Sequence, residues 1–159
     1  MVKYTDSQVT FREIPDEITL CINISGCPNH CEGCHSSYLA EDIGTKLTFN
    51  ELLKLITLNN GISCVSFMGG DQDPKYINSC AGVIRESELP LNIAWYSGKS
   101  ELSDKINLQN FDYIKLGPYI AESGPLDCPN TNQKLYKIID QKMIDITHLL
   151  WNNPLNQNE

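Results

Sequence analysis

A chain of 159 residues with ordinary hydrophobic content is long enough to bury one sizeable core, and residues 1–159 read as a single domain. Its formal net charge of −8 argues against a nucleic-acid partner held by a broad basic surface, because neutralising phosphates takes clustered Lys and Arg. No apolar run is long enough to span a bilayer, and the N-terminal MVKYTDSQVTFREIPDE is too polar for a secretory signal, so the expectation is a cytoplasmic protein without a membrane partner.

In chain order, the first strand is expected at 17–25, EITLCINIS, where Ile18, Leu20, Ile22 and Ile24 alternate with more polar neighbours. It runs straight into a cysteine-rich loop. The segment 48–58, TFNELLKLITL, predicts a helix: Thr48 and Glu51 form a capping box, and Leu52, Leu55 and Ile56 share a face. SCVSFM at 63–68 suits a buried strand. After GGDQDP, with Asp73 as N-cap and Pro74 as first helical residue, Ile77, Cys80, Ala81 and Ile84 recur at helical spacing until Leu89-Pro90. LNIAWY at 91–96 is a further strand closed by Ser97-Gly98, and a short helix is expected within 99–108. DYIKL at 112–116 is a strand, 117–134 a long loop, and a last strand starts near Leu135. The stretch from there to Trp151 fits strand or helix, and the tail NNPLNQNE is expected to fray. Alternating strands and helices imply an α/β fold, an open partial (β/α) barrel with a mostly parallel sheet. Ligands of such sheets bind at the carboxyl ends of the strands, where the cysteine loop, GGD, SG and the loop after 116 all lie.

The chain has seven cysteines, an odd number that disfavours an all-disulfide framework in a reducing compartment. Cys27, Cys31 and Cys34 are spaced C-x3-C-x2-C within GCPNHCEGCH. Three thiolates on one loop suit a single metal centre. A structural zinc site needs a fourth ligand, which His30 or His35 would supply. An electron-transfer iron–sulfur centre needs a fourth cysteine, which Cys21, Cys64 or Cys128 would supply from afar. A [4Fe–4S] cluster with three protein ligands leaves one iron open to a ligand, and this option explains why the local motif stops at three.

At these residues the chain resembles the radical S-adenosylmethionine (SAM) superfamily, whose signature is C-x3-C-x2-C after a first strand. FMGGDQDP looks like that superfamily's Gly-Gly-Glu motif, with Asp71 for Glu. Together with TNQK at 131–134, these motifs are similar to those of the small activating enzymes of anaerobic (class III) ribonucleotide reductase. The resemblance runs from about Ile18 to about Lys134. It implies a fold of radical SAM type, with a [4Fe–4S] cluster on Cys27, Cys31 and Cys34 and SAM chelating the fourth iron. It further implies that an electron from reduced flavodoxin or ferredoxin splits SAM into methionine and a 5′-deoxyadenosyl radical. That radical would take hydrogen from a glycine of the large glycyl-radical subunit. SAM would be held by Gly33, Cys34, His35, Gly69, Gly70, Asp71, Ser97, Asn132 and Gln133, with no catalytic residue beyond the cluster ligands. Gly33 stands where many members carry an aromatic residue, so His35 becomes the candidate neighbour of adenine. Other readings stay open. Asp71 caps the following helix; Ser97-Gly98 and Asn132-Gln133 are polar turns; the chain activates another glycyl-radical enzyme; or the cysteines belong to a zinc-binding module or an electron carrier.

Overall fold

Leu20, Ile22 and Ile24 alternate along β2 (Thr19–Ile24) and bury one continuous row of aliphatic side chains. The computed structural model describes residues 1–151; the expected fraying of NNPLNQNE falls on 152–159, outside the described residues. β2 pairs in parallel with β4 (Cys64–Met68), β4 with β5 (Asn92–Tyr96), and β5 with β6 (Tyr113–Leu116). Val65, Phe67, Ile93, Trp95 and Ile114 extend the row. Two helices cover it. In α1 (Phe49–Leu58) the Thr48 hydroxyl accepts from the Glu51 N–H at 3.1 Å, and Leu52 and Ile56 face the sheet. In α2 (Pro74–Glu86) Asp73 Oδ1 accepts from the Tyr76 N–H at 3.1 Å, Pro74 opens the helix, and Ile77, Cys80, Ala81 and Ile84 are buried. Burying an apolar face of this kind, more than intrinsic propensity, is what holds helices of such length.

The expectation of an open partial (β/α) barrel with a mostly parallel sheet of radical SAM type is overturned. The strands form one eight-stranded mixed sheet in the order β3-β1-β2-β4-β5-β6-β7-β8, and among the described residues there are only three α-helices. Three of its seven pairings are parallel and four antiparallel. β1 (Lys3–Thr10) and β3 (Thr45–Lys46) flank β2 on one side; β7 (Lys134–Ile139) and β8 (Lys142–Asp145) flank β6 on the other. β1 carries no fully buried residue, so KYTDSQVT lacks the apolar alternation that marks a strand. The β7–β8 hairpin turns on Asp140 and Gln141 at φ 51° and 61°, a left-handed pair that usually announces itself with glycine. After β8 a single turn, α3 (His148–Trp151), ends the described chain, so the region left as strand or helix contains both.

The short helix expected within 99–108 is absent; a 3-10 turn at Leu108–Asn110 precedes β6 instead. Ser103 Oγ and Asn107 Oδ1 accept from the N–H groups of Lys105 and Gln109 at 3.2 and 3.0 Å, which offers the backbone local partners in place of a helix. Both long helices lie on one face. The opposite face carries a smaller cluster of Ile14, Cys64, Ala94, Tyr113, Leu135 and Leu150. Beside it that face is polar, with Lys115 alternating against Ile114 and Leu116. Among the described residues, no helix is long and apolar enough to cross a membrane. Because Asp73 is the cap of α2, Asp73→Ala is expected to lower stability by about 1 kcal/mol in urea denaturation.

Candidate active site

The chain leaves β2 through Gly26 at φ 77° and enters the cysteine loop, whose neck is closed by backbone bonds from Gly26 N–H to the Glu41 carbonyl (3.0 Å) and from Cys27 N–H to the Leu39 carbonyl (2.8 Å). All seven cysteines are free thiols. Cys27, Cys31 and Cys34 are half-buried and line the same cavity of about 320 Å³, within the usual range for small-molecule sites. They also line a smaller cavity of about 190 Å³ together with His30. Among the described residues no three His, Cys, Asp or Glu side chains converge to hold a single ion. A cubane cluster asks for something different: each thiolate binds its own iron, so the sulfurs are spread around a body. Three adjacent free thiols around one cavity are the donor set such a cluster takes.

The other cysteines are poor candidates for a fourth ligand. Burial first, then Glu13, pushes the Cys21 thiol up to about 12, and burial pushes Cys80 up to about 12. Burial and Glu17 push Cys64 upward as well. A metal ligand has to be a thiolate, and these three positions resist ionisation. Cys128 packs against Gly124 and lies outside the wall of the main cavity.

The turn after β4 faces the cysteine loop. Gly69 and Gly70 hold φ 108° and 101°. Gly69 lines the main cavity, whereas Gly70 is buried, and a β-carbon there would lie 2.6 Å from Ile77. Asp71 does not cap α2. Its carboxylate accepts from Asn29 Nδ2 (2.6 Å), Ser97 Oγ (2.5 Å) and Gly98 N–H (2.8 Å). Ser97 is thereby more than a plain turn residue: its hydroxyl orients Asp71 and accepts from Lys99 N–H at 3.0 Å. Gln72 Nε2 donates to the Ser25 carbonyl at 2.6 Å, a second tie between this turn and the cysteine loop.

Compared with family models, curated proteins and solved structures, the chain matches none. Of the residues expected around a ligand, Cys27, Cys31, Cys34, His35, Gly69, Asp71, Ser97 and Gln133 line the main cavity; Gly33, Gly70 and Asn132 do not. Gly33 holds φ 75°, the left-handed region that favours glycine; Tyr119 Cε1 would be in ordinary contact with a β-carbon there at 3.4 Å, and the Tyr119 and His35 rings stand 6.0 Å apart at 55°. Asn132 Nδ2 donates to the Pro118 carbonyl at 3.0 Å.

Sequence reasoning missed Asn29, Lys115 and Tyr119, all on the cavity wall. Lys115 sits in the buried strand β6 with 8% exposure, donates to the carbonyls of Gly117 (2.8 Å) and Ser97 (3.2 Å), and lies 6.0 Å from the centre of the Tyr96 ring. The sequence signal it offers is a lysine inside a short apolar strand. Burial pulls its ammonium from the usual lysine value down to about 8, against the opposing pull of Asp71, Cys31, Cys34 and Glu13.

A folded value below the unfolded one means the unfolded chain binds more protons between about 8 and 10.5. Below pH 8 the burial penalty is present in full; it is relieved as pH rises toward 10.5. The stability of Lys115→Met relative to wild type should therefore decline over that window, by on the order of 3 kcal/mol in paired denaturant titrations.

Proposed function

We propose that the protein is a cytoplasmic radical SAM activase that reductively cleaves SAM at a [4Fe–4S] cluster and generates a glycyl radical on the large subunit of anaerobic ribonucleotide reductase. The observation that carries this reading is the single cavity walled by Cys27, Cys31 and Cys34 on one side and by Gly69, Asp71 and Ser97 on the other. The cysteines would hold the cluster, which when bound supplies the electron that splits the sulfonium bond. Reduced flavodoxin or ferredoxin would be the source of that electron.

The remaining work belongs to the chain's own groups. Asp71, fixed by three donors, offers its carboxylate to the ammonium of SAM. Gly69 exposes backbone to the methionine end. Lys115 brings positive charge to the same wall, suited to a carboxylate. Tyr119 and His35, both on the cavity wall, would be the aromatic neighbours of the purine. An adjoining cavity of about 490 Å³ shares Glu13, His35, Pro125 and Leu126 with the first, and the partner's glycine segment would approach through it. Holding both reactants side by side in adjoining cavities is the protein's main contribution.

A second reading is a zinc-binding module with a Cys3His site. In it His30, which lines the smaller cavity with the same three cysteines, would be the fourth ligand, and the loop would have to close further, because among the described residues no three such side chains converge on one ion.

Anaerobic reconstitution with iron and sulfide, followed by SAM and dithionite, is expected to yield 5′-deoxyadenosine from wild type and none from Cys31→Ala. Fully loaded wild type that forms no product would sink the activase, and one tightly held zinc per chain would favour the module. Asp71→Asn should weaken SAM binding at least about tenfold, as loss of one charge-assisted contact does. Single Cys21→Ala, Cys64→Ala and Cys128→Ala variants should keep the cluster, read from its visible absorbance and iron content.

A further inference from the structure

Asn29 lies between Cys27 and the GGD turn, and its amide nitrogen meets two partners. It donates to Asp71 Oδ2 at 2.6 Å and to Cys27 Sγ at 3.6 Å. Only the nitrogen end of the side chain can donate to a carboxylate, so the orientation of the amide is fixed by its acceptor. An amide nitrogen has two hydrogens, enough for both bonds. The position is built for this side chain: a β-carbon at Gly98 would lie 2.5 Å from Asn29 Nδ2, and the Gly98 N–H is itself a donor to Asp71.

We propose that Asn29 is a positioning residue that couples the Cys27 sulfur to the Asp71 carboxylate, so that charge at one is felt at the other. The proposal rests on the reading of Cys27 as a cluster ligand. Hydrogen bonds to ligand sulfurs help set the potential of an iron–sulfur centre, and donation favours the reduced, more negative form. Asp71 polarises the amide that makes this donation. A cation arriving at Asp71 weakens its hold on Asn29 and so alters the donation to Cys27. By linkage, the redox state of the centre alters the affinity of Asp71 for that cation by the same factor.

The test is a double-mutant cycle read as midpoint potential, not turnover. Wild type, Asn29→Ala, Asp71→Asn and the double variant are reconstituted anaerobically and titrated, with the reduced centre followed by electron paramagnetic resonance. Asn29→Ala is expected to lower the potential. Asp71→Asn is expected to shift it in the wild-type background and to lose more than half of that shift when Asn29 is absent. Equal Asp71→Asn shifts in both backgrounds would overturn the coupling while leaving the activase reading intact. Wild type that takes up no cluster overturns both. Where Asn29→Ala does not load, Asn29→Ser carries the cycle; if neither loads although circular dichroism is unchanged, Asn29 serves the fold of the loop and the proposal falls.

Discussion

Gly69 and Gly70 adopt left-handed backbone in succession, and the space their side chains would need is already taken, by the Ile24 carbonyl for one and by Ile77 for the other. The turn they make reverses the chain within a few residues of β4. It sends Asp71 toward the cysteine loop and leaves Asp73 free to cap α2. The Trp95 indole holds the Gly69 carbonyl at 2.8 Å, so the neighbouring strand fixes the same turn. A β-carbon at Gly70 would collide with the Ile77 side chain of α2, and one at Gly69 would press on the Ile24 carbonyl of β2. The geometry of the cavity thus depends on the same steric constraint that packs α2 on the sheet.

The parts of the fold that can be read from sequence are the apolar ones. β2 and the two capped helices show a regular period, β4, β5 and β6 are short apolar runs between turn residues, and each expectation falls within a few residues of the element. β1 pairs with β2 along most of its length, with an irregularity between Tyr4 and Asp6, yet buries none of its own residues completely, so its pairing leaves no trace in composition. Antiparallel flanks of this kind convert an expected parallel sheet into a mixed one without changing the central pattern. The two-residue hairpin at Asp140-Gln141 escaped because neither residue is the glycine that such backbone favours.

The site divides in a similar way. Cysteine spacing and the Gly-Gly-Asp turn are local patterns, and the structure brings them to one cavity. Asn29, Lys115 and Tyr119 join them only through tertiary packing. Asn29 reads as an ordinary loop residue until its distance to Asp71 is known, and Lys115 as a strand residue until its face of the sheet is known. Gly33 shows the converse: its lack of a side chain answers a left-handed φ of 75° in the loop, a backbone demand that the residue type announces but the spacing does not explain.

The neck of the cysteine loop bears on how a metal enters and leaves. Gly26 and Cys27 bond back to Glu41 and Leu39, and Leu39 is the one buried side chain between them. The segment is an Ω-like excursion whose ends meet, and none of the sheet's ladder bonds passes through it. Beyond its neck it is tied to the turn after β4, from Asn29 to Asp71 and from Gln72 to Ser25, so a rearrangement within it leaves the strand ladder intact. Metal uptake by the three thiols would accordingly be a local event in this excursion, with the eight paired strands as its fixed frame.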